Sequence, residues 1–276
     1  MKAHKVAPEL AQALRRLRLG QILDSLPARL EHGEREHVPF QDLLLMVLTD
    51  EIARRDGTAL ERRVEHSGLE PDMVFERWDS HASVTYDRKV LSELKSLRFI
   101  ETNRNVVVLG PVGVGKTFVA CALGHLACRA QYKVHFERAD DMLRRLAQSR
   151  FDNSRDRLVL ELATVDLLII DDFALDAMSR DQSRDVYQLV VERHGRFSTV
   201  ITSNRDTKEW LAAFDDALLA QSAIDRFKNN AYDLVIEGES YRPSLKPSVD
   251  TVSGGPDNST IVQRAPRKRR PASRRR

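Results

Sequence analysis

Eight consecutive residues carry the strongest chemical signal in this chain: Gly110-Pro111-Val112-Gly113-Val114-Gly115-Lys116-Thr117. The pattern G-x-x-x-x-G-K-T stands between an apolar run and a helical one, so a strand should enter it and a helix should leave it. Its glycines let backbone N–H groups curl around phosphates. Lys116 would reach the β- and γ-phosphates of ATP, and the Thr117 hydroxyl would ligate Mg²⁺. The helix that begins at Lys116 would add its positive end. A plain Gly-rich strand–helix turn is the alternative. A chance match in a chain of this size is on the order of one in a hundred.

A second segment supplies acids. Leu167-Leu168-Ile169-Ile170-Asp171-Asp172 is an apolar strand ending in two carboxylates. A phosphate-loop enzyme needs an acid beside the loop to hold the metal, and Asp171 is placed for that. Asp172 is then the candidate for polarising the attacking water. Alone, the segment would be a core strand ending in an Asp-rich turn. Small-molecule phosphate transfer uses the same two motifs, so they leave the substrate open. Thr199-Val200-Ile201-Thr202-Ser203-Asn204 is another core strand with a polar end. Asn204 would reach the γ-phosphate or its water if this strand lies between the two motif strands. Arg226, in Ala223-Ile224-Asp225-Arg226-Phe227, stands near a helix end and could stabilise transferring phosphoryl charge from a neighbouring subunit. A surface ion pair is its other reading. Arg242, closing Gly238-Glu239-Ser240-Tyr241-Arg242, is a second arginine candidate for the nucleotide.

These residues need a frame. Candidate strands at Val106–Leu109, Lys133–Phe136, Leu167–Ile170, Thr199–Thr202 and Ala231–Ile236 alternate with segments long enough for crossover helices. That alternation predicts an α/β fold, a parallel sheet with helices on both faces. The first 80 or so residues read instead as a small all-helical domain. Leu10, Leu14 and Leu17 share one helical face, a further helix starts near Pro39, and a short segment ends at Phe75-Glu76-Arg77-Trp78. Cys121 and Cys128, seven apart on one helix, read as buried free thiols rather than a disulfide or zinc framework.

With 276 residues the chain is one large domain or two ordinary ones. No apolar run reaches the length of a membrane span, and no apolar segment of a secretory signal follows Met1-Lys2-Ala3-His4-Lys5. A reducing, cytoplasmic setting is expected. The small net charge of +3 hides an asymmetry. Residues 243–276 hold nine Lys/Arg and two Asp, a net +7, against −4 for the rest. Such a tail reads as disordered and attracts polyanions by counterion release. The pairs Arg54-Arg55 and Arg62-Arg63 could add phosphate contacts or be solvated helix faces. Low aromatic content, 6%, favours duplex DNA over stacked single strands. No helix-turn-helix or zinc-finger signature offers base readout.

Taken together the motifs resemble those of a P-loop AAA+ ATPase of the IstB-like family, the ATP-dependent helpers of insertion-sequence transposition. DnaC-like helicase loaders are related. The resemblance covers roughly residues 8–242. It begins with Pro39-Phe40-Gln41-Asp42-Leu43-Leu44 and Glu51-Ile52-Ala53-Arg54-Arg55 and continues through Asn105–Thr117, Leu167–Phe173, Ser198–Asn204, Trp210, Ala223–Arg226 and Gly238–Arg242. It implies a helical N-terminal domain over 1–82 for DNA or partner contact and oligomerisation, an ATPase domain over 83–242, and the basic tail 243–276. It implies Lys116 and Thr117 for nucleotide and Mg²⁺, Asp171 for the metal, Asp172 at the catalytic acidic position, Asn204 as first sensor and Arg226 as arginine finger. Members assemble on DNA as ATP-bound homo-oligomers and recruit or stimulate a partner transposase. Three residues depart from the family pattern. Val112 replaces a frequent Pro and Phe118 a frequent His, with nucleotide binding left intact. Asp172 stands where most such ATPases have Glu, one methylene longer, which predicts slow hydrolysis. A helicase loader and a DNA scaffold that barely turns over are the competing readings.

Overall fold

In the computed structural model, residues 6–78 and 84–240 are described. The basic tail and Arg242 lie outside them. A six-stranded sheet forms the frame, from β1 (Val84–Tyr86), β2 (Asn105–Leu109), β3 (Val134–Arg138), β4 (Leu167–Asp171), β5 (Ser198–Ser203) and β6 (Ala231–Gly238), in the order β1-β6-β2-β5-β4-β3. The five longer strands are parallel, and β1 pairs antiparallel with β6. All five strands expected from the apolar runs are present. The sixth, β1, has three residues, too few to show a periodicity.

The strands alternate between two cores, as strands covered on both faces must. Val106, Val108, Leu167, Ile169 and Val200 pack on one side, against α4 (Arg88–Lys95), α5 (Arg98–Glu101) and α6 (Lys116–Arg129). Val107, Leu168, Ile170 and Ile201 pack on the other, against α7 (Ala139–Gln148), α8 (Arg155–Thr164), α9 (Arg180–Arg193) and α10 (Ala217–Lys228). Cys121 and Cys128 lie free and buried on α6, and burial pushes their thiols up to about 12 and about 11. At neutral pH both are unreactive thiols.

Ahead of the sheet run α1 (Pro8–Arg16), α2 (Ile22–Arg35) and α3 (Phe40–Ser67). Pro27 lies inside α2, which disguises that helix in the sequence. A small cluster of Ile22, Leu26 and Val47 joins α2 to the first half of α3, while Leu60, Val64 and Leu69 pack into the core of the sheet on its α6 side. Of the three leucines expected on one helical face only Leu14 packs, and Leu10 and Leu17 stay exposed. Phe40, Leu44, Leu48 and Ile52, each four residues from the next, form an exposed apolar ridge along α3 with Leu45 beside it. Arg54 and Arg55 both bind the buried Glu51, whose carboxyl their hydrogen bonds pull down to about 2. Arg63 donates to the Cys128 carbonyl. Three of these four arginines thus bond within the chain, while Arg54 and Arg55 stay about half exposed at 43% and 50%.

Two buried charges fix the helical layer on the α9 side. Asp185, fully buried, is held by Arg150 at 2.7 Å and Arg155 at 2.6 Å. Arg193, at the end of α9, donates to the carbonyls of Leu162, Ala163 and Val165 at the end of α8, and to Ser198 and Thr199 on β5. Burial lowers its pKa to about 9. The α8 carbonyls belong to its last turn and the residue after it, which have no helical donors left for them. Arg193→Met keeps the bulk and removes every donor. It should cost about 3–5 kcal/mol, read as a lower urea midpoint than that of the wild-type chain.

Candidate functional site

The carboxyl ends of β2, β5 and β4 meet at one edge of the sheet, and the chemistry-bearing residues gather there. Their register follows from parallel pairing. Leu109 on β2 is level with Ser203 on β5, so Gly110 and Asn204 leave the sheet side by side. Ile170 on β4 is level with Ile201, so Asp171 stands beside Thr202. The strand with the polar end therefore does lie between the two motif strands.

The phosphate loop runs from Gly110 to Gly115, and α6 starts at Lys116. Gly113 and Gly115 have positive φ values of 87° and 96°, conformations that only glycine adopts without strain. Both also admit close neighbours. A β-carbon on Gly113 would collide with the Ser240 side chain, and one on Gly115 would sit 3.1 Å from the Trp78 indole. Lys116 is buried, and its ammonium donates to the Pro111 carbonyl of the same loop at 2.9 Å. Val112 is exposed at the loop's crest, and Val114 is buried beneath it.

Asp171 is 3% exposed. The Thr117 hydroxyl lies 3.0 Å from each of its carboxylate oxygens, and the Thr202 hydroxyl donates to Oδ1 at 2.5 Å. Thr202 in turn accepts the backbone N–H of Asp172 at 2.9 Å. One hydroxyl thus fixes both acids. Desolvation, and then the neighbouring Asp172 charge, raise the Asp171 pKa against the two hydroxyls that lower it. A carboxylate so placed gains from a nearby cation. Mg²⁺ takes one or two protein oxygens and completes its shell with waters and substrate phosphates. The Thr117–Asp171 pair fits that donor set.

Asp172 is turned differently. Its φ of 54° places it in the left-handed region, a local strain found at functional turns. Its carboxylate lies 3.4 Å from the Arg138 guanidinium at the end of β3. Asn204 is exposed at the turn after β5. Arg226 is not at this edge. It sits on α10, whose side chains Ala223 and Phe227 pack on the face of the sheet opposite α6. It donates to the Ser222 carbonyl at 2.9 Å and stacks over the Tyr187 ring at 5.9 Å. Among the described residues no carboxylate pairs with it, so the surface ion pair is not what forms. Sequence reasoning misses Thr202, Arg138, Trp78 and Ser240. Thr202 has a readable signal, a hydroxyl inside an otherwise apolar core strand beside the acidic one.

The raised pKa of Asp171 has a sign that can be measured. Its acid form is favoured in the folded chain, so the stability that goes with that proton is full below the unfolded value of 3.8 and is lost as pH rises through the higher folded value. At pH 7 the site is therefore a stability cost. Without nucleotide, Asp171→Asn should melt above wild type at pH 7, with the gap closing as pH approaches 3.8. Melting curves across that range check it; a variant less stable than wild type at neutral pH contradicts it.

Comparison with known proteins agrees with this geometry. The family model described as an IstB-like ATP-binding protein matches residues 12–248. An insertion-sequence ATP-binding protein of Mycobacterium tuberculosis is 35% identical over 88% of this chain and 98% of its own length. The ATP-binding protein of insertion sequence IS21 from Pseudomonas aeruginosa is 32% identical over 85% of this chain and 88% of its own. Among solved structures, DnaI aligns with a TM-score of 0.51 at 19% identity, over 61% of this chain and 95% of that one. Replication initiator DnaA bound to AMPPCP and single-stranded DNA aligns at 0.51 and 20%, over 62% and 51%. Those two likenesses concern the fold, the AAA+ phosphate-loop sheet. The match over most of its length makes this chain a member of the IstB-like ATP-binding family of insertion sequences.

Proposed function

We propose that the protein is an ATPase that assembles with copies of itself on duplex DNA and recruits or stimulates a partner transposase. The observation that carries the ATPase part is the Thr202–Asp171–Thr117 chain of hydroxyls and carboxylate beside the phosphate loop. Gly110, Pro111, Val112, Gly113, Val114 and Gly115 would wrap the phosphates. Lys116 would leave the Pro111 carbonyl for the β- and γ-phosphates. Thr117 and Asp171 would hold Mg²⁺, which when bound neutralises charge on the phosphate oxygens. Asp172 would orient and polarise the attacking water, with Asn204 beside it. Arg226, on the other face of the sheet, would act across a subunit boundary. Arg242 keeps its proposed place near the nucleotide on sequence grounds alone. The exposed ridge of Phe40, Leu44, Leu48 and Ile52 supports self-association, since apolar patches of that kind mark interaction surfaces.

Transposition rather than helicase loading is favoured by the relatives, which are insertion-sequence proteins. A DNA scaffold with little turnover is the second reading. The short side chain of Asp172, drawn toward Arg138, favours it.

Two experiments test the proposal. Asp172→Asn should keep Mg²⁺-ATP bound and lower phosphate release about 100-fold or more, whereas Asp171→Asn should weaken Mg²⁺-dependent binding itself. Nucleotide binding and phosphate release, measured separately, distinguish these; identical defects contradict the division of roles.

Truncation after residue 242 tests the role of the tail on DNA. It should weaken binding to unrelated duplexes about equally. The slope of log affinity against log salt should become shallower by about 0.9 for each phosphate that the tail neutralises in the full-length chain. ATP binding should be unchanged, and the truncated chain should retain some ATP-stimulated DNA binding. A strong sequence preference, or DNA binding indifferent to ATP, contradicts it.

A further inference from the structure

Three aromatic rings from three separate segments converge where α6 leaves the phosphate loop. Trp78 follows a short 3₁₀ turn (Phe75–Arg77), Tyr86 ends β1, and Phe118 comes directly after Thr117. The Trp78 and Phe118 ring centroids are 5.3 Å apart at 56°, and Trp78 and Tyr86 are 6.1 Å apart at 75°. The six-membered edge of the indole lies 3.1 Å from the position of a β-carbon on Gly115. All three rings are half-buried. The other tryptophan behaves differently. Trp210 is 1% exposed, packs against Phe173 and Phe227, and gives its N–H to the Ser203 hydroxyl. Trp210 fills a core, whereas Trp78 is only partly buried, beside a phosphate cradle.

A loop that takes the triphosphate of ATP leaves the base within one nucleotide's length of the α6 N-terminus. The base is flat and largely apolar on its faces, and stacking on an aromatic ring is its usual source of affinity. The ring must stand close to the loop without blocking it, and the glycine at position 115 allows that approach. We propose that Trp78, backed by Phe118 and Tyr86, is the platform that binds the nucleobase of ATP. This rests on the reading of Gly110–Thr117 as the phosphate loop. It also gives a role to Phe118, which departs from the family's frequent His: a ring there supports the indole from the α6 side. The platform reads a π-face rather than a hydrogen-bonding edge.

The test separates base from phosphates. The probes are ATP and inorganic triphosphate, which carries the same kind of charge and no base. In the full-length chain, Trp78→Ala should weaken ATP binding about 10- to 100-fold and leave triphosphate binding unchanged. Trp78→Phe should recover most of the loss. Equal losses for both probes would mean that the indole only shapes the loop, and would overturn the proposal. So would undiminished ATP binding.

A second measurement needs no variant. Trp210 is 1% exposed, so iodide quenching of tryptophan emission in the native chain reports Trp78. ATP should shield that emission and inorganic triphosphate should not. ATP that binds while leaving quenching unchanged would overturn the platform even if Trp78→Ala fails to fold. A wild-type chain that binds neither probe would instead overturn the phosphate-loop reading.

Discussion

The arrangement at the sheet edge depends on keeping one carboxylate charged where it is almost out of water. Asp171 ends a strand buried on both faces, and among the described residues no cationic side chain bonds to it directly. Two threonine hydroxyls stand in, Thr117 from the phosphate-loop helix and Thr202 from the neighbouring strand. They lower the cost of the charge without removing it, as the raised pKa shows. A lysine or arginine at that point would have stabilised the acid and filled its coordination sites. Hydroxyls leave a donor set that a divalent cation can complete, with Thr117 able to turn its lone pairs toward the metal. The fold thus keeps a local instability that a bound cation would relieve.

The sheet order makes that contact possible. Residues 117, 171 and 202 are far apart in sequence and meet because β5 lies between β2 and β4. The same order sends Asn204 out beside Gly110, and it puts α10 with Arg226 on the opposite layer. One chain therefore brings its loop, its acids and Asn204 together and leaves its half-buried Arg226 elsewhere. The loose N-terminal packing has the same logic. A helix pair with three buried apolar side chains in its own cluster and an apolar ridge left exposed would gain from a neighbour.

The frame is legible in the sequence because a doubly covered parallel sheet writes its strands as short apolar runs, and the phosphate loop because its glycines and lysine stand at fixed spacing. Other features leave weaker traces. β1 is three residues long and gains its place only by pairing with β6. Pro27 and Gly33 make α2 look like a break, yet the helix continues through both. The Arg54–Arg55 pair reads as two free cations, but buried Glu51 on the same helix bonds to both side chains. Trp78 has no motif around it, and its neighbours Tyr86 and Phe118 are visible only after folding. The charge of Arg226 can be read from the sequence; its stacking on Tyr187, in place of an ion pair, cannot.

Asp172 shows how composition and geometry interact at such a site. Its side chain is one methylene shorter than Glu. A positive φ turns the residue out of the strand direction, and the Thr202 hydroxyl pins its N–H. Arg138, from the edge strand β3, then draws the carboxylate toward the β3 side at 3.4 Å. That distance is long for a charge-assisted hydrogen bond, so the pairing guides the acid more than it holds it. The nearby guanidinium attracts the carboxylate and competes for the same oxygens that would face the water. The shorter side chain and the competing arginine act in one direction. Under the proposed role of Asp172, both would slow hydrolysis relative to nucleotide binding.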